Sequence, residues 1–323
     1  MSSRIKQNCF CRILLNFLFF TAFGLHCVAD GSILDSSDFN DIAGPVKSVR
    51  FEESWYVNQD GKRAPDERHL SSVCTFTPEG DLKERIFYDA EGNIKDRWIH
   101  EFDDRRRITT EAKYTTGGQL ITKVEYVYKE GKRSEKLIYR YDGSLEKRLK
   151  YKYNEKGQLI EADMFSPDQF KRKTLYSYDD RGNRTSFADY NADSDLEVKE
   201  EFYFNEKGKL IQSAVFNNEN ELMATMTYFY DDRGRRTEVM AHIKGGRLEM
   251  RRLYEHNDRG SVTGLTSYGR DGKFFDREVY SYEYDRYGNW IVKHESTARP
   301  DTEYQLPIRI VYRTISYFDD PSE

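Results

Sequence analysis

The chain has 323 residues, of which 33% are charged and 15% are aromatic, including 24 tyrosines and 20 phenylalanines. Disordered chains are depleted in aromatic residues, so this composition indicates a folded protein although only 37% of the residues are hydrophobic. Lysine and arginine alternate with aspartate and glutamate along the chain, which argues against a nucleic-acid-binding surface because phosphate binding needs a basic cluster.

Residues 1–29 have the pattern of a secretory signal peptide. A basic start precedes the apolar run 13–20, which is too short to span a bilayer permanently. Small residues at Cys27 and Ala29 predict cleavage before Asp30. Three of the 51 basic residues and none of the 56 acidic residues lie in this segment, so the net charge changes from −5 to −8 on cleavage.

Two alternatives remain open for this segment. Cys27 follows the apolar run and is the acylated residue if the chain is a lipoprotein, although Gly24 and His26 do not fit that signal. The second alternative is that the segment is retained as a membrane anchor, but no charged stop-transfer signal follows it. A cleaved chain is predicted to have no integral membrane span and to keep Cys74 alone, which excludes an intrachain disulfide. The expected location is the periplasm, the cell surface or the secreted fraction.

Beyond residue 29 the chain divides into two ends and a repeat array. Residues 30–70 predict N-terminal capping strands. Residues 71–295 carry the repeat, and residues 296–323 predict a C-terminal capping strand and tail. Prolines avoid the interiors of the repeats, as expected of strands that donate ladder hydrogen bonds.

One turn recurs about every 26 residues in this array. In most copies Asp or Asn opens the turn, an aromatic residue precedes it, and glycine stands at the fourth position. This pattern is typical of a type I turn closed by a residue with positive φ. The aligned positions are Gly80, Arg106, Gly131, Gly157, Gly182, Gly208, Gly234, Gly260 and Gly288. The copy at Gly131 is one residue shorter than the others.

The strands before these turns alternate in the form Tyr-x-Tyr, which predicts strands with one buried face. A second polar turn halfway through each repeat gives two strands and two turns per copy. A lone hairpin is only marginally stable, so the copies are expected to stack. The sequence therefore predicts an all-β fold, with antiparallel β-hairpin repeats forming an elongated, twisted sheet or an open β-spiral.

The motif 178–183, Tyr-Asp-Asp-Arg-Gly-Asn, and the motif 284–289, Tyr-Asp-Arg-Tyr-Gly-Asn, resemble the signature of YD repeats, also called RHS repeats. The resemblance covers about residues 70–295. It implies an exported or surface protein whose repeats form β-sheet spirals. Compared with the large members, this sequence is expected to be too short to form a closed shell and to lack a separate C-terminal toxin domain.

Candidate ligand-binding residues are few. Trp55, Trp98 and Trp290 are the best candidates, because an exposed ring stacks on a sugar while neighbouring polar groups bond its hydroxyls. The histidines do not cluster at metal spacing, and residues 191–197 lack the glycine and distal glutamate of a calcium loop. No catalytic motif is found, so neither a cofactor nor a metal is predicted.

Three functions fit this sequence. The first is an exported, non-catalytic protein whose binding or scaffolding surface contacts an unidentified protein or an envelope glycan. The second is a carbohydrate-binding module or a weak glycoside hydrolase, which needs two carboxylates in a cleft. The third is an immunity or antitoxin-like partner of a secreted toxin, which rests on family analogy alone.

Overall fold

A computed structural model describes residues 42–299 and 305–320. The predicted signal peptide, its cleavage position and the alternative at Cys27 lie outside the described residues. Within the described ranges no helix is long and apolar enough to cross a bilayer.

The described chain forms 21 strands. In chain order they are β1 (Val46–Gln59), β2 (Lys62–Pro65), β3 (His69–Phe76), β4 (Leu82–Tyr88), β5 (Ile94–Phe102), β6 (Ile108–Thr115), β7 (Leu120–Lys129), β8 (Lys132–Arg140), β9 (Leu145–Tyr153), β10 (Leu159–Ser166), β11 (Gln169–Tyr178), β12 (Arg184–Asn191), β13 (Leu196–Phe204), β14 (Leu210–Phe216), β15 (Leu222–Tyr230), β16 (Arg236–Ile243), β17 (Arg247–His256), β18 (Val262–Tyr268), β19 (Phe274–Tyr284), β20 (Trp290–Ala298) and β21 (Leu306–Tyr317).

The recurrent turns are built by their own side chains. In the turn between β11 and β12, Asp179 N donates to Asn183 O at 2.9 Å and Gly182 N donates to Asp179 O at 3.0 Å. The Asp179 carboxylate also accepts from Asn183 N at 2.8 Å. Gly182 has φ +86°, a conformation that favours glycine. A register shift follows in the ladder, as expected of a hairpin with a bulge.

Tyrosine hydroxyls tie these turns to the preceding strand. Tyr178 at the end of β11 donates to the carbonyl of Leu159 at the start of β10, at 2.8 Å. Two repeats later, the Tyr230 hydroxyl at the end of β15 donates in the same way to the carbonyl of Leu210 at the start of β14, at 2.8 Å. Because phenylalanine has no hydroxyl, the bond explains why tyrosine is frequent at this position.

Twenty strands form one closed antiparallel barrel. The remaining strand, β2, pairs only with the C-terminal end of β1, in a short hairpin. The strands from β3 to β21 follow one another as a meander, and β1 pairs with both β3 and β21. The predicted elongated sheet or open spiral is therefore wrong. The reason is that the two predicted capping strands pair with each other, with Val49 opposite Ile315. Closure removes the two unpaired edges of an open array.

A buried amide fastens this closing seam between β1 and β21. Asn289, the last residue of the final recurrent turn, is 1% exposed. Its Nδ2 donates to Ala43 O and to the Tyr317 hydroxyl, both at 2.8 Å, and its Oδ1 accepts from Ala43 N at 2.6 Å. The Tyr317 hydroxyl donates to Asp285. Ala43, Asp285, Asn289 and Tyr317 form the seam lock, which joins both ends of the barrel to one turn.

The pairing register divides the barrel wall into two faces. One face carries the alternating rings, which are less than a tenth exposed: Tyr126, Tyr151, Tyr176, Phe202 and Tyr228. The opposite face carries ion pairs such as Lys123–Glu125 and Arg251–Glu238, both at 2.6 Å. Side chains converge on the concave surface of a closed barrel, so they cover one another and are less exposed than those on the convex surface. The aromatic face is therefore the inner wall and the ion-paired face is the outer wall.

Candidate binding site at the closing seam

Two of the three candidate tryptophans lie on the barrel wall beside the closing seam. Trp55 is on β1 and Trp290 is on β20, with β21 between them. Trp98 lies on β5 and is only 6% exposed, with the Lys113 ammonium 5.3 Å from its ring centroid. The structure thus brings two candidates to one region and places the third in the packed wall, where little of its ring is open to a ligand.

Trp55 is the candidate with an open ring, because it is 45% exposed. Its backbone is held firmly by Asp66, which follows β2. Trp55 N donates to the Asp66 carboxylate at 2.6 Å, and Asp66 N donates to Trp55 O at 2.8 Å. The Ser54 hydroxyl donates to Asp66 O at 2.6 Å. A fixed backbone beneath an exposed ring lowers the entropic cost of binding.

A row of charged side chains continues from Trp55 across the seam. The Arg309 guanidinium lies 5.0 Å from the Trp55 ring centroid. It pairs with Glu53 at 3.1 Å and with Glu295 at 2.9 Å. Lys293 pairs with the second oxygen of Glu295 at 2.8 Å. This network places carboxylate acceptors and guanidinium donors beside one exposed indole.

The row ends at Tyr280 on β19. Burial, with a hydrogen bond to Glu278, raises the pKa of the Tyr280 phenol, so this hydroxyl stays protonated. The Lys293 ammonium lies 4.2 Å from the Tyr280 ring centroid. The seam site is defined by Trp55, Glu53, Arg309, Glu295, Lys293 and Tyr280.

Trp290 has a different environment from Trp55. The Arg313 guanidinium lies 3.6 Å from the centroid of one of its rings, and the Tyr282 ring meets it edge-on at 6.2 Å. Both contacts are with groups of the wall itself, and Trp290 is only partly exposed. Trp290 therefore braces the wall beside the seam site and presents less ring to solvent than Trp55 does.

The other candidate centres do not assemble into a reactive group. In the described part of the chain, no three His, Cys, Asp or Glu side chains lie together as a metal site. The Asn191 side-chain oxygen accepts from the backbone of Asp193 and Asp195 within its own turn. His100 is 6% exposed, and burial lowers its pKa to about 4. Cys74 is fully buried.

Sequence reasoning missed every charged partner of Trp55. Glu53 lies near one end of the described chain, whereas Glu295 and Arg309 lie near the other. Carboxylates and guanidinium groups are abundant along the chain, so nothing in their spacing marks these three. The closing of the barrel brings them together.

Comparison with known families adds little to this picture. A family model described only as an uncharacterised protein matches residues 87–202. No curated protein matches the chain. The resemblance to YD repeats therefore rests on the turn motif.

Weak likenesses to solved structures exist. A porin-like protein of Bacteroides uniformis is 11% identical with a TM-score of 0.36, over 85% of this chain and 98% of the other. A porin-like protein of Bacteroides vulgatus is 10% identical with a TM-score of 0.26, over 82% and 97%. The TcdB2-TccC3-Cdc42 structure is 13% identical with a TM-score of 0.31, over 85% of this chain and 18% of the other. Likenesses this weak do not define a function.

Proposed function

We propose that this chain is an exported, non-catalytic binding protein of the cell envelope, and that its seam site binds a glycan. The observation that carries the proposal is the exposed Trp55 ring on a fixed backbone, next to Arg309 and its two carboxylate partners. Binding sites of this kind combine an apolar surface with a few placed polar groups. A sugar offers a matching pair of features, an apolar ring face and hydroxyls at its edge.

Both faces of the wall support an aqueous compartment. The outer wall carries ion pairs such as Lys199–Glu201 at 2.6 Å, and the inner wall carries Arg309 with its carboxylates. A wall that faces hydrocarbon needs an apolar band on its outer side. We therefore propose that water contacts both faces. Export is supported by the signal-peptide pattern of residues 1–29.

Replacing Trp55 with alanine is expected to weaken glycan binding by about 1–3 kcal/mol, or about fivefold to more than a hundredfold, because the stacking surface is lost. The measurement is a glycan array followed by calorimetry on the strongest glycan. The matched control is Phe229→Ala, since Phe229 is 41% exposed on β15, four strands before the nearest strand of the seam site. Its affinity is expected to equal that of the unchanged protein.

The same samples separate binding from hydrolysis. If the bound glycan is incubated with the protein, no shortened product is expected over a long incubation. Product release that Glu53→Gln or Glu295→Gln abolishes would favour the weak glycoside hydrolase instead. Absence of binding to every glycan on the array would remove the glycan proposal. No contact in the described chain favours the immunity or antitoxin-like function.

A further inference from the structure

The recurrent turns line one rim of the barrel, and two neighbouring turns break the pattern. The turn after β5 ends on Arg106 where the other copies have glycine, and Arg106 has φ +61°. The next turn on this rim, after β7, is one residue shorter and contains Glu130 with φ +51°. Both irregularities therefore fall on the two sides of one gap.

The regular copies show what this gap changes. The arginine at the third turn position normally contacts the following turn. Arg181 donates to Glu206 O at 2.8 Å, and Arg233 pairs with Asp258 at 3.8 Å. Arg259 lies 4.6 Å from the centroid of the Tyr284 ring, on the last residue of β19 before the following turn.

Arg105 occupies the same turn position but faces the shortened turn. Over residues 42–299 and 305–320, no side chain or backbone group pairs with its guanidinium. The carboxylates of Asp104 and Glu130 likewise lack a partner in those ranges. Among the residues that line the gap between the two turns, one cation and two anions are thus without a partner.

A cleft of about 480 Å³ opens between these turns, and all three free groups line it. Arg107 and Tyr128 also line it, and they are fixed in place. The Arg107 guanidinium lies 4.3 Å from the Tyr128 ring centroid and pairs with Asp103 at 2.6 Å. The Tyr128 hydroxyl donates to Ile108 O at 2.9 Å. The missing turn residue therefore leaves a cleft with rigid parts and unpaired charges of both signs.

We propose that this rim cleft binds a small zwitterion of the amino-acid class. The free Arg105 guanidinium suits a carboxylate, which it holds with two parallel hydrogen bonds. Asp104 and Glu130 suit an ammonium group. A ligand with a single charge pairs with either the guanidinium or the carboxylates, whereas a zwitterion pairs with both. The volume suits one amino acid or a dipeptide. The rim cleft is separate from the seam site and does not depend on it.

The test uses calorimetry on the exported protein with four probes. L-Alanine and alanyl-alanine carry both charges, alaninamide carries only the ammonium, and N-acetyl-alanine carries only the carboxylate. Comparing alanine with the dipeptide distinguishes a free amino acid from a peptide as the source. At least one zwitterion is expected to bind about tenfold or more tighter than both single-charge probes.

Arg105→Gln and Glu130→Gln are each expected to reduce this binding about tenfold or more. The matched control is Arg233→Gln, which changes the same turn position beside a full-length turn and is expected to leave binding unchanged. Thermal unfolding of each variant checks that the barrel is intact. Equal binding of all four probes, an equal effect of the control, or no binding of either zwitterion would overturn the proposal.

Discussion

Replacing Glu200 with glutamine is expected to raise the free energy of unfolding by about 2–3 kcal/mol at pH 8 and by less than about 1 kcal/mol at pH 5. Glu200 lies on β13 in the inner wall and is 1% exposed. Neither carboxylate oxygen makes a well-formed hydrogen bond within the described chain. Burial raises the pKa of Glu200 to about 7, and the nearby Ser213 hydroxyl and Arg184 guanidinium oppose this only in part.

Glu200→Gln stabilises the barrel more at pH 8 than at pH 5 because the pKa of Glu200 is raised in the folded state. The unfolded chain releases the Glu200 proton near pH 4.5, but the barrel keeps it up to about pH 7. The stability from protonated Glu200 is thus fully present below pH 4.5 and is lost as the pH rises through 7. Glutamine does not titrate, so the free energy of unfolding of the variant does not fall with rising pH in this way. His100, whose pKa is lowered to about 4, titrates in both proteins and cancels in their difference.

Denaturant unfolding of both proteins at pH 5 and pH 8 measures this effect. Glu201→Gln is the matched control, because Glu201 is the next residue and faces the outer wall. Hydrogen bonds from Lys199 and Tyr203 lower the pKa of Glu201. Its replacement is expected to change stability by less than about 1 kcal/mol at either pH, as for other exposed ion pairs. A difference between Glu200→Gln and the unchanged protein that is the same at both pH values would refute the account of Glu200.

Asn289→Ala is expected to lower the free energy of unfolding by about 2–4 kcal/mol. The substitution removes the amide that bonds Ala43 and Tyr317 at once, so both ends of the barrel lose their attachment to the last recurrent turn. Denaturant unfolding measures the loss. Hydrogen exchange is expected to show faster opening of β1 and β21 than of the strands on the far side of the barrel.

Asn183→Ala is the matched control for the seam lock. Asn183 stands at the same position of its own turn, but within residues 42–299 and 305–320 its Nδ2 bonds Asp179 alone, at 2.8 Å. Its replacement is expected to cost about 1 kcal/mol or less. Equal losses in the two variants, or exchange that is unchanged at β1 and β21, would show that Asn289 only shapes its turn.

Local features of this fold are readable from sequence because they depend on neighbouring residues. Asp179 accepts from the backbone of its own turn, and a residue with positive φ follows three positions later. The alternation at Tyr176 and Tyr178 places one ring in the wall and the next at the strand end, where its hydroxyl bonds the preceding strand. Such patterns recur in each repeat, which makes strands, turns and the all-β class predictable.

Closure was not predictable in the same way. It depends on β1 pairing with β21, for example Ser48 with Ser316, which are 268 positions apart. No repeat pattern reports how the strand twist accumulates over twenty strands, and a few degrees per strand decide between a spiral and a ring. The predicted open array therefore failed at its ends, where the repeat itself is absent.

For the candidate sites too, the residue types are predictable from sequence, whereas their neighbours in space are not. Tryptophan is rare in this chain, and the sequence therefore marks all three tryptophans as candidates. How much of each ring is exposed depends on how the strands pair in the closed barrel. Trp98 is buried, whereas Trp55 is open beside the seam. Arg309 and Glu295 meet Trp55 only through the pairing of β20, β21 and β1. The rim cleft is marked in sequence by Arg106 and the short turn at Gly131, yet only the structure shows that they adjoin.

The most direct test of the closed barrel is a covalent bond across its seam. The hydroxyls of Ser48 and Ser316 lie 2.7 Å apart on paired strands, a spacing that suits a disulfide after Ser48→Cys and Ser316→Cys. Peptide mass spectrometry of the oxidised protein distinguishes this bond from one to Cys74. The closed barrel predicts a near-complete bond between positions 48 and 316 in the monomer. In an open array of twenty strands the first and last strands are about 90 Å apart, so a folded monomer that never forms the bond would contradict closure.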